Sequence, residues 1–264
     1  MYVVAVTEQG GDLETEAYAL APLVGLSPYD VRLRLSSVLP RVVFSSTDRD
    51  DALRVLAAIR ARGLGAVACD TSTMTRPGEL TKVHRFTWDA QGLTANGPGS
   101  PALRWNDIAV VVVVQTRTDV LRDKKEIDME FHGRRAERVE KMETRHESTM
   151  ELSAYLFPRK GEDARPRPPW LLHEREAQYL GLGPQMQPVR RTNFNVTLGL
   201  VREHARDALF DDRFVKTPIN ATDFVHVLGS DEPRADVAPR GVEVQATLVA
   251  LWLERSRGGP YRGA

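Results

Sequence analysis

The chain has 264 residues, of which 42% are hydrophobic and 27% are charged, a composition typical of a folded protein with one large or two smaller domains. Lysine plus arginine number 36, as do aspartate plus glutamate, so the chain as a whole lacks the basic excess typical of nucleic-acid-binding proteins. The single cysteine, Cys69, excludes an internal disulfide and a structural zinc site built on several cysteines.

The start of the chain and its hydropathy favour a cytoplasmic protein. Met1 is followed at once by a strand-like apolar run, with neither the basic region nor the cleavage site of a signal peptide. The longest apolar run, at residues 108–114, is far shorter than the ~20 residues that a membrane-spanning helix needs. We therefore expect no transmembrane segment.

The first 70 residues predict a regular series of strands and helices. Short apolar runs predict three strands, at residues 2–7, 41–46 and 65–69. Apolar residues at helical spacing predict three helices between these strands, and Asp12, Ser27 and Thr47-Asp48 are placed to cap them. The predicted order is β-α-α-β-α-β.

Four stretches in this region match a known domain in order and spacing. They are the first strand at 3–6 (VVAV), the helix joint at 24–31 (VGLSPYDV), the stretch 39–43 (LPRVV) and the helix at 51–56 (DALRVL). In these stretches the chain resembles the C-terminal domain of the bacterial ribosomal stalk protein. The resemblance implies that residues 1–75 form a small domain of that fold, with a role in protein–protein contact. That family binds translation factors through basic residues around its first helices, whereas residues 12–24 here contain no lysine or arginine.

From residue 81 onward the pattern predicts a second, β-rich domain that extends to residue 264. Strands are predicted at 82–88, 93–96, 103–116, 150–157 and from 170 towards 180, and helices at 193–209, capped by Thr192-Asn193, and at 242–256. The dense β-branched residues at 108–114 are typical of a strand buried on both faces. This region resembles, more weakly, pleckstrin-homology-like β-sandwiches that are closed by a C-terminal helix. The predicted fold class is α+β, with a mostly antiparallel second domain.

The segment 117–147 forms a charged excursion within the second domain. It contains nine basic and nine acidic residues that alternate in sign, which predicts a solvated helix or a mobile loop. With the loops predicted at 158–169 and 229–240, it is long for a compact domain, and long loops often carry binding residues.

The sequence predicts no catalytic, cofactor-binding or metal-ligating residue. The glycine-rich phosphate loops, the H-E-x-x-H zinc motif and the G-x-S-x-G nucleophile motif are absent from the sequence. Cys69 is expected to be a small buried residue at the end of a strand. Asp211-Asp212 is expected to be surface charge or a helix cap.

Four residues are candidates for an interaction site. Arg190 and Arg191 precede a predicted helix, where they could hold an anion or simply be solvated. Trp170 could anchor an interface or pack in the core. His173 could contribute to a site assembled from residues that are distant in sequence.

These observations favour a non-catalytic cytoplasmic protein-interaction or regulatory protein, without a cofactor. The expected partner is another protein, and self-association is possible. Two alternatives stay open: an enzyme, for example a hydrolase that uses carboxylates, His173 or Cys69, and an anion- or lipid-binding module with Arg165 and Arg167 on a loop.

Overall fold

The fold is described by a computed structural model that covers residues 1–76, 78–95, 99, 101–132, 135–159, 167–220 and 241–257, with the backbone alone for residues 118–147, 220, 241 and 257. The helices are α1 (Leu13–Val24), α2 (Pro28–Leu35), α3 (Arg49–Ala61), α4 (Arg190–His204), α5 (Arg213–Lys216) and α6 (Gly241–Arg257). The strands are β1 (Tyr2–Glu8), β2 (Arg41–Ser46), β3 (Gly65–Asp70), β4 (Thr81–Lys82), β5 (Phe86–Trp88), β6 (Gly92–Ala95), β7 (Ala102–Arg104), β8 (Ile108–His132), β9 (Arg135–Pro158), β10 (Trp170–His173), β11 (Leu209–Asp212) and β12 (Thr217–Asn220). The predicted α+β class is confirmed.

The first six elements follow the predicted β-α-α-β-α-β order. Their strands form an antiparallel sheet in the order β2-β1-β3. All three helices begin at a capping side chain, because the side chains of Asp12, Ser27 and Asp48 each accept a hydrogen bond from a backbone N–H in the first turn. Gly25 ends α1 with a φ of 69°, a left-handed conformation that glycine adopts readily.

The two faces of this sheet are covered by different parts of the chain. On one face, Val4 and Val6 pack with Leu20, Leu35 and Ile59 from the three helices between the strands. On the other face, β1 and its neighbours pack against α6, far away in the sequence; this cluster comprises Val3, Ala5, Val42, Val67, Met74, Val244 and Leu248.

The second unit is built around a six-stranded mixed sheet. Its order is β11-β8-β9-β10-β4, and β12 also pairs with β8. The residues of β8 from Ile108 to Val114 are all buried, as their β-branched run predicts. A small antiparallel sheet, β5-β6-β7, and helix α4 cover one face of the large sheet, and α6 packs against the other. The strand predicted at 82–88 is two strands, since β4 joins the large sheet and β5 the small one.

Strands β8 and β9 extend together well beyond the large sheet. Their antiparallel pairing runs without a break from Val110↔Phe157 to His132↔Arg135. The prediction of a helix or loop at 117–147 is therefore wrong. A strand and a helix are told apart in sequence by the spacing of their apolar residues, and a segment of alternating charges gives no such spacing. We call residues 118–132 with 135–149 the ribbon.

Helix α4 begins and ends earlier than its sequence pattern predicts. It starts at Arg190, after Val189, which contributes no side-chain cap, and it ends at His204, before β11 begins at Leu209. Asn193 is buried inside the helix, where its side chain exchanges two hydrogen bonds with the backbone of Gln187, of 2.6 and 2.8 Å. Asn193 thus holds the loop before α4 rather than capping the helix.

Arg213 contacts both units at the interface between them, beside α6. Its Nη1 donates to the backbone oxygen of Leu39 at 2.9 Å, and its guanidinium also pairs with Asp211. The same guanidinium lies 4.3 Å from the centre of the Trp252 ring, whose indole N–H donates to Glu8 at 3.0 Å. The interface between the two units is therefore stabilised by polar contacts as well as by the apolar faces of α6.

Candidate functional site

Three of the four predicted interaction residues lie around one corner of the large sheet, where β10 ends and α4 begins. Arg191 Nε donates to Glu174 Oε1 at 2.8 Å, and Arg190 donates to the backbone oxygen of Arg175. His173 is the last residue of β10. The fourth residue, Trp170, is 4% exposed and belongs to the core of the second unit, so it is not available as an interface anchor.

The carboxylate of Glu174 organises this corner. It is 8% exposed, and besides Arg191 it accepts the backbone N–H of Leu152 at 3.1 Å. Its backbone oxygen accepts the hydroxyl of Tyr179 at 2.9 Å. Burial, and secondly the charge of Glu174, raise the pKa of Tyr179, so this hydroxyl stays protonated as a donor. The prediction that Arg190 and Arg191 hold an external anion finds no support in these contacts, since Arg191 already has an internal carboxylate.

On the other side of β10, His173 lies beside Ser153 and Glu151. The Ser153 hydroxyl is 3.4 Å from His173 Nδ1 and 3.5 Å from Nε2, and Glu151 Oε2 is 4.0 Å from the same Nδ1. A proton relay needs the hydroxyl on one ring nitrogen and the carboxylate on the other, at about 2.6–3.2 Å. Glu151 instead forms a 3.0 Å ion pair with Arg175. This cluster therefore does not have the arrangement of a nucleophilic triad.

Cys69 is unsuited to nucleophilic chemistry. It packs, partly buried, against the cluster that joins the N-terminal sheet to α6. Burial, and secondly the charge of Asp70, raise the pKa of its thiol from 9.0 to about 12. Because the thiolate is the reactive form, this environment suppresses the reactivity that an enzyme would need.

A cleft that the sequence analysis missed lies between α4 and the segment β11–α5. Its volume is about 300 Å³. Val113 and Leu152, from the central strands of the large sheet, form an apolar floor together with Leu198 and Val215. We call it the α4 cleft.

Charged and polar groups lie along the rim of the α4 cleft. Arg202, Asn195 and Asp212 line it, and all three are exposed. The Arg202 guanidinium lies 4.9 Å from the centre of the Phe210 ring. One sequence signal for this site is Gly199, a glycine in the middle of a helix, which lines the cleft and leaves its mouth open.

The remaining candidates offer no further site. Arg167 pairs with Asp107 at 2.8 Å, while Arg165 and the loop predicted at 229–240 lie outside the described residues. Across the part of the chain that the structure describes, no three His, Cys, Asp or Glu residues are grouped so that they could hold a metal ion. None of the described helices has the length and apolar character needed to cross a membrane.

Comparison with known proteins assigns no relative. No protein-family model matches the chain, and neither the curated proteins nor the solved structures contain a match. The resemblances to the ribosomal stalk domain and to pleckstrin-homology-like sandwiches therefore stay predictions.

Proposed function

We propose that this protein is a non-catalytic cytoplasmic interaction protein that binds another protein through the ribbon. The observation that supports this is the length of the ribbon. Its fifteen residue pairs, from Thr118↔Thr149 to His132↔Arg135, lie beyond the last residues that β10 and β12 pair with in the large sheet. At ~3.3 Å per residue, the ribbon extends roughly 50 Å.

A two-stranded ribbon of this length gains little stability alone in water, where at least a third strand or a packed face is needed. Among the described strands, none other than β8 and β9 pairs with residues of the ribbon. Each outer edge therefore carries a row of backbone N–H and C=O groups that an extended segment of a partner can pair with. Addition of a strand to such an edge is a common mode of peptide recognition.

The charge of the ribbon favours a protein as its partner. Residues 117–147 contain nine basic and nine acidic residues, whereas nucleic acids and anionic membranes select a basic excess. The resemblance of residues 1–75 to a domain used in protein contact supports the same proposal. A cytoplasmic location fits a chain whose only thiol, Cys69, forms no disulfide.

Cross-linking in cells tests the proposal, because lysines are present both in the ribbon and elsewhere. Lys124, Lys125 and Lys141 lie in the ribbon, while Lys82 and Lys216 are exposed on the rest of the molecule and serve as internal controls. We expect a lysine-reactive cross-linker to join the ribbon lysines to other polypeptides, including a second copy of the chain. Ribbon lysines that form only links within their own chain, or no more intermolecular links than the two controls, would contradict the proposal.

A shortened variant gives the second arm of the test. Residues 118–149 are replaced by an Asn-Gly turn between the paired residues Arg117 and Met150. We expect the free energy of unfolding to stay close to that of the parent, because among the described strands the ribbon pairs only with itself. Because the shortened chain also lacks Lys124, Lys125 and Lys141, its partner is measured by pull-down and not by cross-linking. We expect the partner that the ribbon lysines identified to be absent from the pull-down of the shortened chain. Retention of the partner would overturn the assignment of the ribbon as the binding element.

A further inference from the structure

The α4 cleft has the size and surface of a small-ligand site. Its volume of about 300 Å³ lies at the lower end of the range for such sites, which are mostly apolar with a few polar groups that fix orientation. Its floor includes Val113 and Leu152, which are 6% and 4% exposed and lie on the central strands of the large sheet. A compact aliphatic group placed there would be removed from water on contact with a preformed surface.

The rim offers one cation and one anion that form no ion pair with any other residue whose side chain the structure describes. Within the described residues, Arg202 has no carboxylate partner, and its guanidinium lies over the ring of Phe210. Asp212 likewise has no cationic partner there, and its side chain does not cap α5. The neighbouring Asp211 contrasts with it, because Asp211 is committed to Arg213.

We propose that the α4 cleft binds a free α-amino acid with an apolar side chain, such as leucine. The side chain of the ligand lies on the apolar floor. Its carboxylate pairs with Arg202, which can donate two parallel hydrogen bonds, and its ammonium pairs with Asp212. Asn195, whose amide both donates and accepts, completes the rim.

The presence of both charges selects this ligand class over related ones. A fatty acid or another aliphatic carboxylate has no cation to pair with Asp212, and its negative charge would lie near that of Asp212. An aliphatic amine would leave Arg202 unpaired in the same way. The terminal residue of a peptide, where its side chain is uncharged, carries only one of the two charges, whereas a free amino acid carries both on one small molecule and can pair with Arg202 and Asp212 together.

Isothermal titration calorimetry on the full chain tests this assignment with four ligands. L-leucine carries both charges and the aliphatic group, N-acetyl-L-leucine lacks the ammonium, L-leucinamide lacks the carboxylate, and glycine lacks the side chain. We expect L-leucine to bind at least tenfold more tightly than each of the other three. Failure of L-leucine to bind at 10 mM, or affinities that are equal within the set, would overturn the proposal.

Matched variants identify the residues that carry the binding. Arg202→Gln and Asp212→Asn should each weaken binding of L-leucine at least tenfold, whereas Arg206→Gln and Glu203→Gln, near the same end of α4 but outside the cleft, should leave it unchanged. Gly199→Leu adds a side chain at the mouth of the cleft without changing charge, and it should abolish binding in a folded protein. Unchanged binding in Arg202→Gln, Asp212→Asn or Gly199→Leu would show that the ligand binds elsewhere. The result does not depend on the ribbon, so it is independent of the proposed function.

Discussion

At the scale of single residues, the polar side chains that sequence patterns singled out have mostly structural roles. Arg191 was expected to hold an anion or to be solvated, and Asn193 to cap a helix. Instead, Arg191 pairs with the buried Glu174, and Asn193 holds the loop before α4. Neither role follows from residue type, because each depends on a partner that the fold brings near. The position of Trp170, in contrast, does follow from the sequence. Its neighbours in the strand are apolar, which favours the core position that it occupies.

The environment of Cys69 makes a prediction at this scale. With a thiol pKa of about 12 instead of 9.0, the thiolate fraction at pH 8 is about a thousandfold smaller than that of an ordinary thiol. We expect alkylation of native Cys69 by iodoacetamide at pH 8 to be slower by a similar factor than alkylation of the urea-unfolded chain, as measured by mass spectrometry. The variant Cys69→Ala provides the blank. Equal rates in the native and unfolded chain would show that the thiol is exposed to solvent and unshifted.

The raised pKa of the Cys69 thiol also predicts how the free energy of unfolding depends on pH. Because folding raises the pKa, the folded state keeps a proton that the unfolded state loses. The resulting stabilisation is complete below pH 9 and declines as the pH rises from 9 towards 12. The Cys69→Ala variant should lack this component of the decline.

At the scale of elements, two glycines in the second unit have opposite surroundings. A Cβ added at Gly181 would collide with the backbone oxygen of Phe86, whereas one added at Gly199 would meet nothing within 4 Å. We expect Gly181→Ala to lower the free energy of unfolding by about 2 kcal/mol, because the backbone of β5 must move. Gly199→Ala should raise it by about 0.5–1 kcal/mol, since alanine favours the interior of a helix. Urea unfolding measures both, and a loss of similar size in the two variants would contradict this reading.

The elements also show which parts of the fold can be predicted from sequence. The N-terminal helices were predicted because each begins at a local signal, such as Asp12 or Ser27, that acts within one turn. The ribbon was not, because its strands are stabilised by pairing with each other, as at Lys124↔Glu143, and not by any local preference. The α4 cleft was missed for the same reason. Arg202 and Asp212 lie on different elements, and only the packing of α4 beside β11 brings them to one rim.

At the scale of the whole molecule, α6 is shared by two hydrophobic cores. Val244 and Leu248 pack against the N-terminal sheet, and Ala246 and Val249 pack against the large sheet. Because α6 is buried between the two units and packs against both, it couples their stabilities. The two units should therefore unfold in one transition.

A substitution that shortens one buried side chain of α6 tests this coupling. Leu248 is fully buried, so Leu248→Ala should cost about 3 kcal/mol by leaving a cavity. Hydrogen exchange should then accelerate at the amide of Val112 in the large sheet as well as at Val4 in the N-terminal sheet. The control Leu251→Ala, at a partly exposed position of the same helix, should have a smaller effect at both amides. Acceleration at Val4 alone would show that the units open independently.

The position of α6 in the chain also bears on how the protein is made. Residues 241–257 leave the ribosome after every other described element, yet they cover the sheet face that contains Val3, Ala5 and Val67. Among the described helices, α6 alone packs on this face, so the face waits for its cover even when all of its own strands and helices have been synthesised. A nascent chain halted before residue 241 would expose an apolar surface of the kind that chaperones recognise and that promotes aggregation.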